Sequence, residues 1–248
     1  MLRRVKEERT LKENLLLASS TAFISGCVNV SGVIAFLAFT ANITGHFANL
    51  ARNVVERNFS QVLVFFIWLL LFFMGAFTSN FLVRLRAHRS AYRANLTPIV
   101  IEICILLFVA WYGNNFYSEG LTEKEVITGL IILAMGLQNG LVSNISGGLI
   151  KTSHLTGLFT DLGSDVAELF FIRSKKTTLL KNRVYTRLTI LAFYFLGGIA
   201  GGYFFDEYSF TVFYFIPLIL MTILYYDISP IALHKLSRLF WRENKVEN

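Results

Sequence analysis

Six apolar stretches constrain the fold of this chain more than any other feature of its sequence. A helix rises about 1.5 Å per residue and the hydrocarbon core of a bilayer is about 30 Å thick, so a crossing needs roughly 17 to 25 apolar residues. Stretches of about this length lie at Leu15–Phe39, Val62–Leu82, Leu96–Tyr112, Val126–Leu149, Leu188–Phe205 and Phe210–Tyr226. We therefore expect an all-α integral membrane protein with six transmembrane helices.

Composition agrees with this expectation, because 54% of the 248 residues are hydrophobic and only 16% are charged. A soluble domain of this size needs more charge to cover its surface. The basic start of the chain precedes an apolar run that is too long for the core of a signal peptide, so we interpret Leu15–Phe39 as a retained first span. Cys27 and Cys104 lie inside apolar runs and are expected to be free thiols.

The basic residues are distributed asymmetrically about the predicted spans. Nineteen of the 23 Lys and Arg residues fall in the N-terminal segment, the even-numbered loops and the C-terminal tail, whereas the opposite side receives Arg52, Arg57 and Lys124. Because Lys and Arg accumulate on the cytoplasmic side, both termini are predicted to be cytoplasmic in a bacterial inner (plasma) membrane. The basic residues are spread over four segments, which excludes a nucleic-acid-binding domain.

An internal repeat relates the two halves of the chain. Thr40, Thr44, Gly45, Phe47 and Leu50 recur 112 residues later as Thr152, Thr156, Gly157, Phe159 and Leu162. Upstream, Gly26 to Asn29 matches Gly136 to Asn139, and downstream Phe73 to Ala76 matches Phe195 to Gly198. Three spans per copy invert the second copy, as in many transporters with a site at the repeat interface.

The repeat divides the chain into five segments. These are a basic cytoplasmic N-terminus (1–14), a first membrane repeat (15–112), an outer loop (113–125), a second membrane repeat (126–226) and a basic cytoplasmic tail (227–248). Each repeat contains one Thr-Gly motif.

The two Thr-Gly motifs are predicted to interrupt helices or to form re-entrant segments. Thr and Asn side chains compete for backbone hydrogen bonds, and Gly lowers helix propensity. We expect the short helices Ala48–Glu56 and Leu158–Ile172 to begin after the motifs and to present free N–H groups to a polar or anionic ligand. The alternative is that small residues simply allow helices to pack closely, which is our interpretation of the glycines at 197, 198, 201 and 202.

At the level of its motifs the chain resembles the YoaK-like family of bacterial membrane proteins, a domain of unknown function. The resemblance covers about Leu15 to Tyr226 and is most specific at Ala134 to Asn139 and at Lys151 to Gly157. Asn29 and His46 depart from the family pattern, which often has Asp and Asn there. The resemblance implies a six-span inner-membrane protein and no established substrate.

The candidate ligand-binding residues are polar residues inside the apolar spans and residues of the two Thr-Gly motifs, because an unsatisfied polar group is costly in hydrocarbon. Hydrogen bonding between helices is the alternative for Gln138 and Asn139, and a structural role is the alternative for His154. The candidates are Asn29, Thr40, Asn42, Thr44, Gly45, Gln138, Asn139, Thr152, His154, Thr156, Gly157 and Asp161.

Charged residues near the spans have two possible roles. Glu102 lies in the third span, four residues after Pro98, and is a candidate proton-coupling group unless it is close enough to the interface to be hydrated. Lys151 either extends to the membrane interface, which we favour, or binds an anion. Capping and interfacial solvation account for Asp165 and Glu168.

The chain has no nucleotide-binding loop, nucleophile elbow or Cys/His metal motif, so we expect neither an enzyme nor a cofactor or metal site. The pattern as a whole predicts a small secondary transporter or permease for a small polar or anionic solute. A non-transporting scaffold and an intramembrane lipid-acting enzyme are the alternatives. The expected partners are the lipid bilayer, the unidentified solute and a second copy of the chain in a homodimer.

Overall fold

A computed structural model describes residues 9–86, 91–171 and 177–225, all of whose regular structure is helical. The helices are α1 (Leu11–Phe36), α2 (Ile43–Val55), α3 (Phe59–Arg86), α4 (Ala91–Asn115), α5 (Leu121–Ser146), α6 (Leu155–Phe171) and α7 (Thr177–Tyr208), followed by a 3-10 turn (Ser209–Thr211) and α8 (212–225). The basic residues predicted within 1–8, 87–90, 172–176 and 226–248 lie outside the described residues.

Five segments of the described chain are long and apolar enough to cross a membrane. Four are α1, α3, most of α4 and α5, and the fifth is the 49-residue stretch Thr177–Tyr225. The turn at Ser209–Thr211, where Ser209 has a φ of 48°, separates that stretch into α7 and α8. The buried face of α8, which includes Phe213 and Ile216, belongs to the same core as α1, α4 and α5, so the chain turns back into the bundle.

The long helices run to two chemically different ends of the bundle. At the basic end, Arg84 and Arg86 close α3. The other end, called the acidic end below, carries Glu123, whose carboxylate accepts a hydrogen bond of 2.8 Å from the Tyr112 hydroxyl. This contact joins the end of α4 to the start of α5, so the two helices are antiparallel.

Two helix pairs, α1 with α7 and α3 with α5, form the most intimate packing of the bundle. A Cβ added to Gly26 would collide with the Tyr194 carbonyl oxygen, and one added to Gly136 would collide with that of Phe72. Glycine is therefore required for these backbones to touch. Apolar side chains lie equally well in lipid, so close backbone approach is a main source of helix association in membranes.

The short helices differ in position from the sequence expectation. Ile43–Val55 and Leu155–Phe171 begin before the Thr-Gly motifs, not after them, so the expected starts at Ala48 and Leu158 were wrong. The break precedes each motif, because Leu37 takes a left-handed conformation at the end of α1, and Gly147 and Gly148 do so after α5. Asn42 then caps α2 by accepting a hydrogen bond of 3.1 Å from the Gly45 N–H.

α2 and α6 lie at opposite ends of the bundle. The His46 ring of α2 packs on Trp68 near the start of α3, with ring centroids 5.3 Å apart. α6 is held at the basic end by Arg187 of α7, which donates to the Asp161 carboxylate over 3.0 Å and also pairs with Asp165. Each short helix presents an exposed phenylalanine, Phe47 in α2 and Phe159 in α6.

A glycine-to-alanine pair tests the backbone contact. Gly136→Ala places a methyl group against the Phe72 carbonyl and should lower the free energy of unfolding by about 1–3 kcal/mol, the usual cost of overpacking. Gly163→Ala is the control, because its added Cβ meets no atom within 4 Å. On an exposed helix this control should gain about 0.5–1 kcal/mol. Thermal unfolding of both variants in detergent gives the comparison, and equal stability would contradict close packing at Gly136.

Candidate functional site

Asn29 and Asn139, which the sequence predicts to be equivalent, both bind the segment that follows their own helix. The Asn29 carbonyl oxygen accepts hydrogen bonds from the backbone N–H groups of Thr40 (3.0 Å) and Ala41 (3.1 Å). The Asn139 carbonyl oxygen accepts from the Thr152 hydroxyl over 3.3 Å. Each amide thus holds the chain break beside it.

The remaining contacts of the two amides differ. Asn29 is buried and donates its N–H to the Tyr194 hydroxyl over 2.9 Å, so it also ties α1 to α7. Asn139 is half-buried and donates to the Met135 carbonyl of its own helix over 2.9 Å. The half-buried Asn139 borders open space.

That open space is the basic-end pocket, a cavity of about 370 Å³ between α3, the end of α5 and the segment before α6. Phe72 and Ala76 form part of its apolar wall. Its polar lining consists of Asn80, Asn139, Ser143, Asn144, Lys151, Ser153 and His154. The volume of the pocket lies within the range typical of small-molecule sites, and the pocket joins polar residues of α3, α5 and the segment before α6.

The other predicted residues of the Thr-Gly motifs lie apart from this pocket. Thr40 and Thr152 are fully buried, whereas Thr44 and Thr156 are exposed in the first turns of α2 and α6. Gly45 and Gly157 allow a preceding side chain to fold over the helix start, because a Cβ on Gly157 would lie 2.6 Å from the His154 ring nitrogen Nδ1.

Asp161 is engaged in an ion pair and not directed into the pocket lining. Its carboxylate and its backbone carbonyl both accept from Arg187, each over 3.0 Å. Arg183 bridges Asp165 (3.0 Å) and Glu168 (3.3 Å) in the same way. These contacts fasten α6 to α7, which is a structural function beyond the capping and solvation expected for Asp165 and Glu168.

Two buried polar side chains lie in the helical core without full hydrogen bonding. Glu102 is 1% exposed, and its Oε1 has no partner among the described residues. Gln138 donates to the Thr21 carbonyl over 3.4 Å, and its Oε1 likewise lacks a described partner. A protein interior rarely leaves such groups unsatisfied without a functional reason.

Several residues that border cavities are not among the residues predicted from the sequence. Asn80 and Asn144 line the basic-end pocket, and Trp68, Glu125 and Thr128 line a second cavity at the acidic end. Asn80 stands in a strongly apolar span, and that isolated amide is the signal that could have identified it. The others required knowledge of which helices meet.

Substitutions at Asn29 separate its hydrogen-bonding role from its shape. Asn29→Leu leaves the Thr40 and Ala41 amides without an acceptor, at about 1–3 kcal/mol for each unsatisfied group. Asn29→Asp keeps both bonds and can accept a hydrogen bond from Tyr194, so it should remain close to the parent in thermal stability. Unfolding of Asn29→Leu at the same temperature as Asn29→Asp would contradict this role.

Comparison with known proteins now places these features in a family. A family profile described as "Protein of unknown function (DUF1275)" matches residues 17–226. The chain is also 25% identical over 180 residues, 71% of its length and 78% of the relative's, to the UPF0700 transmembrane protein YoaK of Bacillus subtilis (strain 168). No solved structure matches. The resemblance inferred from the sequence motifs is confirmed, and the chain is a transmembrane protein that belongs to the DUF1275 family.

Proposed function

We propose that this protein is a small secondary transporter or channel-like permease whose basic-end pocket receives a small polar or anionic solute. The proposal includes six spans in two inverted repeats and no enzymatic activity. The observation that carries it is a polar cavity formed beside a chain break within a helical membrane bundle. Transporter sites characteristically form where interrupted helices of two repeats meet.

Equivalent helix contacts support the inverted repeat. Gly197 faces the carbonyl of Phe23, and Gly75 faces the carbonyl of Leu133. The residues of the first contact and those of the second correspond through the same offsets that relate the two halves of the sequence. The location of α2 and α6 at opposite ends of the bundle agrees with inversion, since an odd number of spans per copy reverses the second copy.

The pocket itself breaks the symmetry of the repeat. The counterparts of Asn80, Ser143 and Asn144 are Gly202, Val33 and Ile34. Lys151 corresponds to Phe39. Helix packing does not require polar residues at these positions, because the counterpart helices pack closely with small and apolar residues there. The polar lining therefore supports a ligand function specific to the second copy.

The chemistry of the lining favours a solute that carries oxygen atoms or a negative charge. Lys151 supplies a cation, and the three asparagines supply amide donors as well as acceptors. The exposed side chain of Lys151 borders the pocket, which favours anion binding over the interface anchoring that the sequence alone suggested.

The asymmetry of basic residues supports the orientation of the bundle. Arg84, Arg86, Arg183 and Arg187 all lie at the basic end or on the helix turns that lead to it. The positive-inside rule makes this end cytoplasmic in a bacterial inner membrane. The pocket then opens toward the cytoplasm, and α2 lies at the outer surface. A homodimer stays a prediction.

Transport assays with a matched pair of variants test the pocket. Proteoliposomes on a solid-supported membrane are challenged separately with acetate, phosphate and glycine, and the charge movement is recorded. Asn144→Leu removes a lining amide and should reduce the response by about tenfold or more, equivalent to about 1.4 kcal/mol. Asn115→Leu, an exposed amide at the other end, is the control. Equal responses would remove the pocket from the solute path.

The Thr-Gly motifs need their own comparison. Thr44→Val and Thr156→Val keep the shape of the side chain and remove its hydroxyl. Unchanged transport in both variants would exclude these residues from the path, and an inert parent protein with all three probes would favour the scaffold function.

Glu102 is the proposed proton-coupling residue, on the basis of its burial and its unpaired Oε1. Glu102→Gln preserves the shape of the side chain and cannot release a proton. We expect uptake driven by a pH gradient to be lost while exchange of solute across the membrane continues. Both activities are lost in Asn144→Leu if the pocket is the solute site, so the two variants distinguish coupling from binding. Intact gradient-driven uptake in Glu102→Gln would exclude this role.

A further inference from the structure

A second cavity, the aromatic pocket, lies at the acidic end between the end of α1, α2 and the starts of α3 and α5. Its volume is about 240 Å³, and its lining includes His46, Phe65, Trp68, Glu125 and Thr128. It shares no lining residue with the basic-end pocket. The two cavities occupy opposite ends of the α3–α5 pair and are distinct sites.

Three rings form a compact wall of the aromatic pocket. His46, Phe65 and Trp68 pack mutually, with centroid separations of 5.9 Å, 5.3 Å and 5.2 Å. The Trp68 indole N–H is fixed by a 3.0 Å hydrogen bond to the Glu125 carbonyl, which joins the wall to α5. Phe36 and Phe39 also line the pocket. Aromatic rings attract cations through their negative faces.

Two deeply buried polar side chains of the pocket make no hydrogen bond of good geometry with a described residue. His46 is 2% exposed, and neither ring nitrogen makes a hydrogen bond of good geometry with a described residue. Thr128 is fully buried, and its hydroxyl is unpaired in the same sense. Leaving such groups unsatisfied costs about 1–3 kcal/mol each, which a bound ligand recovers.

The protonation state of His46 indicates which hydrogen bonds remain open. Burial lowers the pKa of His46, and the backbone of Phe39 offsets part of that fall. The ring is therefore neutral near pH 7 and has one nitrogen acceptor. A ligand that donates a hydrogen bond complements that nitrogen, and the Thr128 hydroxyl can accept from it as well.

Glu125 supplies the negative charge of the pocket. Its Oε1 accepts a hydrogen bond of 2.8 Å from the Gln61 side-chain amide, which orients the carboxylate and leaves its other oxygen for a ligand. Lys124 also borders the cavity, at a half-buried position from which a flexible side chain can extend to water.

We propose that the aromatic pocket binds a small organic ammonium ion. Its carboxylate, its aromatic walls and its unpaired acceptors together match a protonated amine. A tightly coordinated metal ion fits less well, because the described residues contain no group of three or more His, Cys, Asp or Glu side chains able to hold one. A free anion would face Glu125 and the ring faces. The cavity admits only a few heavy atoms, since typical small-molecule pockets begin at about 300 Å³.

Equilibrium binding to the purified full chain in lipid nanodiscs tests the inference. The probes are trimethylammonium, the neutral alcohol tert-butanol and acetate, each followed by isothermal titration calorimetry. We expect trimethylammonium to bind at least about tenfold more tightly than tert-butanol and acetate not to bind, since an ion pair in a partly buried aromatic site adds to apolar contact. Preferred binding of acetate or of tert-butanol would overturn the inference.

A matched charge change identifies the site. Glu125→Gln retains an acceptor for Gln61 and should weaken trimethylammonium binding by about tenfold or more, whereas Glu119→Gln removes a charge from the exposed loop at the same end and should have no effect. Thr128→Val, which keeps the side-chain shape, should weaken binding by a smaller factor. Equal affinities in Glu125→Gln and Glu119→Gln would overturn the assignment.

Further comparisons keep this result separate from folding and from transport. Size-exclusion profiles and melting temperatures that match the parent show that the variants are folded. Lys124→Met should strengthen trimethylammonium binding if Lys124 only repels the ligand, and weakened binding would count against an ammonium site. Because the assay measures binding without translocation, its result is independent of the proposed transport at the basic-end pocket.

Discussion

Direct contact between helix backbones is the interaction on which the rest of this structure depends. Apolar side chains gain little by leaving lipid for protein, so helices in a membrane associate through close packing and hydrogen bonds. Gly26 and Gly136 allow that approach in the α1–α7 and α3–α5 pairs. The close pairs leave no room for ligands at their crossing points, and the basic-end pocket and the aromatic pocket lie toward opposite ends of the α3–α5 pair.

Hydrogen bonds to Asn29 and Asn139 hold the non-helical segments that follow α1 and α5. Asn29 uses its carbonyl oxygen to satisfy two backbone N–H groups after α1, and its amide reaches Tyr194 of α7. The hydrogen-bonding atoms of the Asn29 side chain are therefore already engaged within the protein. Asn139 makes only one contact with the segment after α5 and borders the basic-end pocket. The same residue type thus has a structural role in one half and remains available to a ligand in the other.

Hydropathy and turn chemistry predicted much of the fold, because a bilayer permits few solutions. Five long apolar helical segments, the glycine-rich packing of α7 and the presence of two short helices follow from residue patterns. The helix starts did not, since the break depends on the left-handed conformation of Leu37 and on capping by Asn42. The site was predicted only in part. Asn139 and His154 border the pocket, but Asn80 and Asn144 could not be assigned to it without knowing that α3 packs on α5.

The two cavities differ in how deeply their polar lining groups are buried. In the basic-end pocket, exposed and half-buried groups could offer the proposed solute many weak hydrogen bonds, an arrangement that suits binding followed by release. In the aromatic pocket, His46 and Thr128 are buried by the fold itself. The free energy of removing them from water is therefore spent during folding and not during ligand binding. Such preorganisation increases selectivity, because a ligand without the matching donor leaves these groups unpaired. The aromatic pocket is therefore the better candidate for discriminating between ligands, and the basic-end pocket is the better candidate for exchanging its own ligand with water.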